Sequence, residues 1–403
     1  MPGSFFLSPH KEPHKMTTTI PQDTLKTALS IVAKAATSKT LPVLASVKLE
    51  ASEISLALTA TDLETVIHVT IPASTDKPFS TCAPASVLAS LVQASDTPNI
   101  QFKPLEGEKL SLIAGGAKSS LHCLPADDFP LPPKESVEMG VIPANVLRGG
   151  LKRVLIAASN DQSRPALCGV QLALLKEKVY LAAADGFRLA AYRLDHELKF
   201  PGKSSLVIPR GSALKLAAIL PDSDEPVAIS ITINGSALCF AWVGLKFWAQ
   251  LLDMNFPDWQ AIIPASFKHE IYLPAKQTVE AIQRAEVFAR NGSHNVSFAP
   301  AETGMLVMGQ SDETGKSETA LDVAMPFRIS FNAIFARQGM EAIAADQVHL
   351  RLSDPKGPAL FTNPDNSGAG GTDRYIYLLM PMISVEDQLS AAKAAQAAQE
   401  AQA

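Results

Sequence analysis

Apolar and polar positions follow two rhythms along this chain. Six stretches repeat apolar residues at intervals of three and four and read as amphipathic helices, here taken as residues 21–39, 84–94, 143–160, 209–220, 274–290 and 332–344. Between them run short segments such as VKLEAS, ISLALTA, VIHVTI, VQLALL, VYLAAA, LCFAWV and YIYLLM. These alternate or are wholly apolar, are broken by Gly, Asp or Pro, and read as antiparallel strands. The helices are of two kinds, each present three times. IPQDTLKTALSIVAKAA, IPANVLRGGLKRVLIAAS and LPAKQTVEAIQRAEVFAR begin at Ile20, Ile142 and Leu273, each with a proline expected in the first helical turn. APASVLASLVQAS, IPRGSALKLAAIL and FNAIFARQGMEAIAA begin at Ala83, Ile208 and Phe331.

Similar helices recur at domain-sized intervals, so the chain is a threefold repeat. The pattern predicts an α+β protein of three domains, each with two helices packed on antiparallel sheet, at residues 16–138, 139–267 and 268–386. Residues 1–15 form an expected disordered leader. Residues 387–403, rich in Ala and Gln with no apolar stripe, form an expected disordered tail. The stretch LAAADGFRLA, residues 181–190, carries the plainest local signal: two apolar halves around Asp185-Gly186, a hairpin turn.

Composition agrees with several domains: 403 residues, 47% hydrophobic, only 6% aromatic. No apolar run reaches the roughly 18 residues of a membrane-spanning helix, and no membrane partner is expected. Four scattered cysteines read as thiols of a reducing cytosol, not as a disulfide frame or zinc site. The net charge of -5 argues against a nucleic-acid partner until its distribution is considered. The six helical stretches hold twelve Lys or Arg against four Asp or Glu, in a chain with 35 and 40 overall. In the helix from Ile142, Leu147, Leu151, Val154, Leu155 and Ala158 share one face and Asn145, Arg148 and Lys152 another. Positive charge is gathered on the helices, as a protein facing a polyanion requires.

Catalytic signatures are missing: there is no GxSxG, HExxH or phosphate-binding Gly-Lys-Ser/Thr loop. Asp62 and Glu64, and Asp127 and Asp128, end strand-like runs and suit turns. A non-catalytic binding protein without metal or cofactor is the expectation.

Quoted in order, SKTLPVLASVKLEA, LTATDLE, LPADDFP, RPALCGVQL, LAAADGFRLA, VIPR, NFPDWQAIIP, ISFNAIFA and YLLMPM make the chain resemble the bacterial sliding clamp family, the beta subunit of DNA polymerase III, over residues 16–382. The resemblance implies the DNA-clamp fold, with two chains closing head to tail into a ring whose helices line the hole. It implies double-stranded DNA as one partner. Others would be the replicative polymerase, the clamp loader and further proteins carrying a short Gln- and Leu-rich peptide, in the bacterial cytoplasm at the nucleoid. The peptide cleft would comprise Leu167, Gly186, Phe187, Arg188, Leu189, Pro257, Ile262, Leu378, Met380, Pro381 and Met382. Lys39 and Arg164 would approach DNA by resemblance; Arg148, Lys152, Arg210, Lys215 and Arg284 join them from helix position. Leu121, Val287 and Phe288 match apolar ring-closure contacts.

The chain departs from the family pattern at Ala184, Phe187, Ala261 and Ile383, which makes the cleft more apolar, and at Ser119, where an aromatic contact is expected. Gln388-Leu389-Ser390 in the tail resembles the first half of a clamp-binding peptide. Two other functions stay open: a clamp-like factor of a mobile element or specialised replicon, and a cytosolic multi-domain enzyme using Asp62, Asp127 or Asp185.

Overall fold

The computed structural model describes residues 17–37, 41–130, 132–133, 136–290, 294–311, 313–366 and 374–382. The leader, Lys39, Ile383 and the tail with Gln388-Leu389-Ser390 lie outside these residues. The chain forms two compact units, residues 1–140 with 225–251 and residues 141–224 with 252–403.

The first unit holds helices α1 (Gln22–Val32) and α2 (Ala85–Gln93), which pack on each other. Leu25, Ala28, Leu29 and Val32 of α1 are buried, at the helical spacing that the sequence pattern set out. A five-stranded antiparallel sheet runs Ser74–Thr75, Thr18–Pro21, Asn99–Leu105, Lys109–Ala114, Ala117–His122. An eight-stranded sheet runs Ser136–Pro143, Pro226–Thr232, Ala237–Trp242, Leu245–Gln250, Thr65–Pro72, Ser55–Thr61, Ser46–Ala51, Phe79–Pro84. Residues 225–251 join this unit because Leu245–Gln250 pairs with Thr65–Pro72.

The second unit holds α3 (Ala144–Leu155), α4 (Arg210–Ile219), α5 (Ala275–Ala289) and α6 (Ala333–Ile343). Its eight-stranded sheet runs Ser205–Pro209, Gly169–Leu175, Lys178–Ala184, Arg188–Leu194, Tyr375–Leu379, Ala359–Thr362, Gln347–Leu352, His269–Pro274. A four-stranded sheet runs Gly315–Leu321, Met305–Ser311, Asn295–Pro300, Ile329–Asn332. α3 packs on α4 and α5 on α6. α6 approaches its sheet so closely that a Cβ at Gly339 would overlap the Tyr377 ring, whose hydroxyl donates to the Phe335 carbonyl at 2.9 Å.

Two expectations need correction. The prolines lie one step before the helices, not inside the first turn. Pro21, Pro84, Pro143, Pro209 and Pro274 each end a strand with φ between -52° and -66° and an extended ψ, and the helix starts at the next residue. The pyrrolidine ring fixes a φ shared by strand and helix, so only ψ has to switch. α1 is also shorter than residues 21–39: after Val32 the bonds tighten to Lys34 N–Ile31 O and Ala35 N–Val32 O, closing the last turn. Counted on the observed helices, there are nine basic residues and four acidic ones, and five of the nine are on α3 and α4, which contain no Asp or Glu of their own.

The repeat shows in two hairpin turns of one design. Asp62 N donates to Thr65 O and the Asp62 carboxylate accepts from Thr65 N at 2.8 Å; Asp185 N donates to Arg188 O and its carboxylate accepts from Arg188 N at 3.0 Å. The residue after each aspartate has positive φ, 76° at Leu63 and 92° at Gly186. The second turn is thus centred on Gly186-Phe187, one residue beyond the expected Asp185-Gly186, because the Asp185 side chain caps Phe187 N as well.

Candidate partner-binding and nucleic-acid surfaces

All eleven predicted cleft residues fall in the second unit. Strands Lys178–Ala184 and Arg188–Leu194 place Leu189 beside Leu378 of Tyr375–Leu379, and Leu378 beside Leu360. These three form a buried cluster with Tyr180, Ala182, Ala191, Val207, Phe256 and Trp259, and Leu167 packs against it. Burying this much aliphatic and aromatic surface stabilises the shelf at roughly 25 cal/mol per Å² removed from water.

Above the shelf stand side chains that the fold leaves uncovered. Phe187 is 62% exposed, Ile262 55%, and Met380 and Met382 about 40% each. Their backbone is held firmly: Met380 N donates to Phe187 O at 2.9 Å and Met382 N to Ser330 O at 2.8 Å. The segment around Pro257 and Ile262 is fastened through Trp259, whose indole N–H donates to Gln171 Oε1 at 2.9 Å and whose ring stands edge-on to Tyr180. Exposed, adaptable apolar side chains on a rigid base suit docking of an apolar peptide.

Arg188 has a different position from the one expected. Its side chain is only 10% exposed; Nε donates to Asp185 at 2.9 Å, Nη1 to Gln338 of α6 at 2.7 Å, and the guanidinium lies 3.8 Å from the centre of the Phe335 ring. A planar cation so enclosed is a tie between the hairpin and α6, not an open wall of the cleft. Leu189, at 1% exposure, likewise supports the floor. Sequence reasoning missed Tyr180, Trp259, Phe267, Leu360 and Ile376, which line a neighbouring cavity of about 740 Å³. The tryptophan in NFPDWQAIIP was the available signal.

The basic residues divide into groups. Arg148 and Lys152 lie on α3, Arg210 and Lys215 on the adjoining α4, so four of the predicted DNA-facing residues come together. Lys152 is exposed, whereas Arg148 is ion-paired to Asp222 at 2.7 Å. Arg284 on α5 is paired, though loosely, with Glu280 at 3.6 Å. Glu286 of α5 is nearly enclosed between Arg290 and Arg337, so the α5–α6 pair presents little unbalanced charge. Arg164 is exposed and stands apart from these helices: its guanidinium covers Gly186, where a Cβ would lie 2.6 Å from Nη1.

Of the ring-closure residues, Val287 is 60% exposed and Phe288 half-buried on α5. Leu121 is not a surface contact. It is 4% exposed, paired with Leu110 and turned into the core of the first unit, while Ser120 and His122 on either side are exposed by strand alternation. The strand that carries it, Ala117–His122, ends its sheet, and Gly315–Leu321 ends the four-stranded sheet of the second unit.

The candidate acids are turn residues. Asp62 and Asp185 accept backbone N–H groups, Asp185 is also held by Arg188, and Asp127 lies in a single 3-10 turn. Among the described residues no group of three His, Cys, Asp or Glu is placed to hold a metal ion. No helix among them is long and apolar enough to cross a membrane.

Family models of the DNA polymerase III beta subunit match in chain order: its N-terminal domain over residues 16–133, its central domain over 141–258 and its C-terminal domain over 260–382. The beta sliding clamp of Bacillus subtilis (strain 168) is 27% identical over 382 residues, covering 90% of this chain and 98% of that protein. That of Streptomyces coelicolor is 26% identical over 350 residues, 85% and 92% of the two chains. Among solved structures, the DNA polymerase sliding clamp from Bacillus subtilis superimposes with a TM-score of 0.83 at 26% identity, covering 92% of this chain and all of that one. The Pseudomonas aeruginosa sliding clamp, solved with a ligand, gives 0.82 at 26% identity over 91% and 99%.

Proposed function

The chain belongs to the DNA polymerase III beta subunit family, and from that premise we propose how its surfaces divide the work of a sliding clamp. It is a non-catalytic processivity subunit of DNA replication, and its family binds DNA and DNA polymerase. Its three repeated domains lie at residues 16–138, 139–267 and 268–386, and two chains close head to tail into a ring around duplex DNA. The strand edges Ala117–His122 and Gly315–Leu321 offer unsatisfied backbone groups suited to closure, and α5, with Val287 and Phe288, packs against the second of them. α3 and α4 supply most of the positive surface toward the phosphates. A clamp held on DNA topologically needs few tight phosphate contacts, and many would impede sliding.

Partners dock by a short apolar peptide on Phe187, Ile262, Met380, Pro381 and Met382 over the shelf of Leu189 and Leu378. The observation that carries this reading is the set of exposed large apolar side chains mounted on backbone hydrogen bonds, with Met380 bonded to the Phe187 turn. Arg164 belongs to the rim of this cleft in the same reading, since its guanidinium sits on Gly186 and can meet a peptide carbonyl or carboxylate.

Two measurements test the proposal. The chain should sediment near twice 42.9 kDa and, once loaded, stay on nicked circular DNA and leave it on linearisation. A fluorescent Gln- and Leu-rich peptide should bind with micromolar affinity. A monomer that never survives on circles, or peptide binding unaffected by Met380→Ala with Met382→Ala, would overturn it.

A further inference from the structure

Four side chains of the first unit stand in a row across four neighbouring strands. Lys48 is the cross-strand partner of Thr59, Thr59 of His68, and His68 of Lys246. Glu50 and Trp248 flank the row, and Phe129, Pro132 and Pro133 line with it an open cavity of about 310 Å³. The fold does not demand these residues. The corresponding row of the second unit's eight-stranded sheet is Gln171, Ala182, Ala191 and Ile376, largely small and apolar.

The charge in the cavity is unbalanced. The Lys48 side chain is nine-tenths buried and its ammonium pairs with Glu50 at 3.1 Å, but that carboxylate is itself nearly half exposed. Lys246, at the other end, makes no ion pair among the described residues and is exposed. Between them the His68 ring is hydrogen-bonded on both nitrogens, Nδ1 with Thr59 Oγ1 at 2.9 Å and Nε2 with Thr70 Oγ1 at 3.2 Å. Three strand spacings of about 4.8 Å separate the lysine backbones, so the two long side chains can converge over His68 from opposite ends. Two ammonium groups thus border one cavity with one carboxylate, leaving a net positive charge that an entering anion would balance.

We propose that this cavity binds a small phosphate-bearing anion, with Lys48 and Lys246 holding its charges, the Thr59 hydroxyl, oriented by His68 Nδ1, donating to its oxygens, and Trp248 forming an apolar wall. Lysines act as rotatable point charges and suit a tetrahedral phosphate. A planar carboxylate is better matched by the guanidinium fork, which the cavity lacks. The small volume, bordered by Phe129 and two prolines, favours a compact ligand over an acidic peptide segment.

The test titrates the full chain with sodium diphosphate in chloride buffer, following heat and Trp248 emission. One saturable site per chain is expected, weakened at least tenfold by Lys246→Gln and unchanged by Lys109→Gln, an exposed lysine on another sheet. Absence of saturation at millimolar diphosphate overturns the proposal. So does equal weakening by both variants, which marks diffuse attraction, or tighter competition by a tetraglutamate peptide, which marks an acidic-peptide site. Were K246Q not to fold, the emission change carries the test: its absence in the parent chain, or its persistence in Trp248→Phe, counts against the site.

Discussion

Replacing Arg188 by alanine separates two readings of the cleft. By resemblance Arg188 is a wall that partners touch; by geometry it fastens the Gly186 hairpin to α6. The substitution removes the bonds to Asp185 at 2.9 Å and Gln338 at 2.7 Å and the guanidinium stacked 3.8 Å from the Phe335 ring. It also leaves Asp185, with a side chain 14% exposed, without its counter-charge. Removing one member of a buried pair costs about 3–5 kcal/mol. Asp185 keeps its bonds from Phe187 N and Arg188 N, which places the cost near the low end, about 3 kcal/mol. For a cooperative unit of this size that is a fall in Tm of about 6–12 °C. Thermal and urea unfolding monitored in parallel measure it. Asp185→Asn added to Arg188→Ala should recover part of the loss, because it removes the orphaned charge. Peptide affinity falls as well, since the turn bonded to Met380 loosens. If Arg188→Ala melts within about a degree of the parent while peptide binding drops a hundredfold, the guanidinium is a direct contact and the packing argument fails.

Phe187→Ala should do the reverse: stability within about 0.5 kcal/mol, because the ring is largely exposed, and peptide affinity lowered at least tenfold in fluorescence polarisation. Lys152→Gln should lower by about one unit the slope of log affinity for short duplex DNA against log salt, while Arg284→Gln, already countered by Glu280, changes it less. Burial raises the thiols of Cys82 and Cys239 to about 11 and pushes Cys123 up too. Iodoacetamide at pH 8 should therefore label Cys168 first, the others only after unfolding, as read by mass spectrometry. Burial holds the His68 imidazole below its ordinary value, against the opposing pull of Glu50. As pH falls below about 6.5 the unfolded chain takes a proton that the folded chain refuses, so stability is full above that pH and is lost toward the lowered pKa. His68→Gln should flatten this loss between pH 7.5 and 5 in chloride buffer, as read from urea midpoints.

Periodicity located the six helices of the described residues and several of the strands between them, because each helix buries one face against a sheet and must repeat accordingly. Helix ends were less legible. At Pro21 and its counterparts one φ serves two structures, and after Val32 apolar alanines continue the pattern without continuing the helix. The cleft was legible as a set of positions, but not the depth of each. Nothing local in Gly186-Phe187-Arg188-Leu189 tells that the phenylalanine stands out, the arginine turns inward to Gln338, and the leucine disappears beneath Trp259. Those outcomes depend on α6 and on the segment around Trp259, roughly 150 and 70 residues away. Leu121 failed for a related reason: a period-two strand has two faces, and the resemblance did not say which one faced the core.

The bonds from Met380 N to Phe187 O and from Met382 N to Ser330 O involve only peptide groups. The contour they hold is therefore indifferent to side-chain identity, and substitutions at these positions can accumulate without loss of the docking surface's shape. Lineages carrying such a surface can drift in the residues they present, each drawing its own set of ligands, while the framework beneath is inherited intact. The phenylalanine at 187 and the alanines at 184 and 261, which by resemblance depart from the family pattern, are the kind of change that such a framework would tolerate.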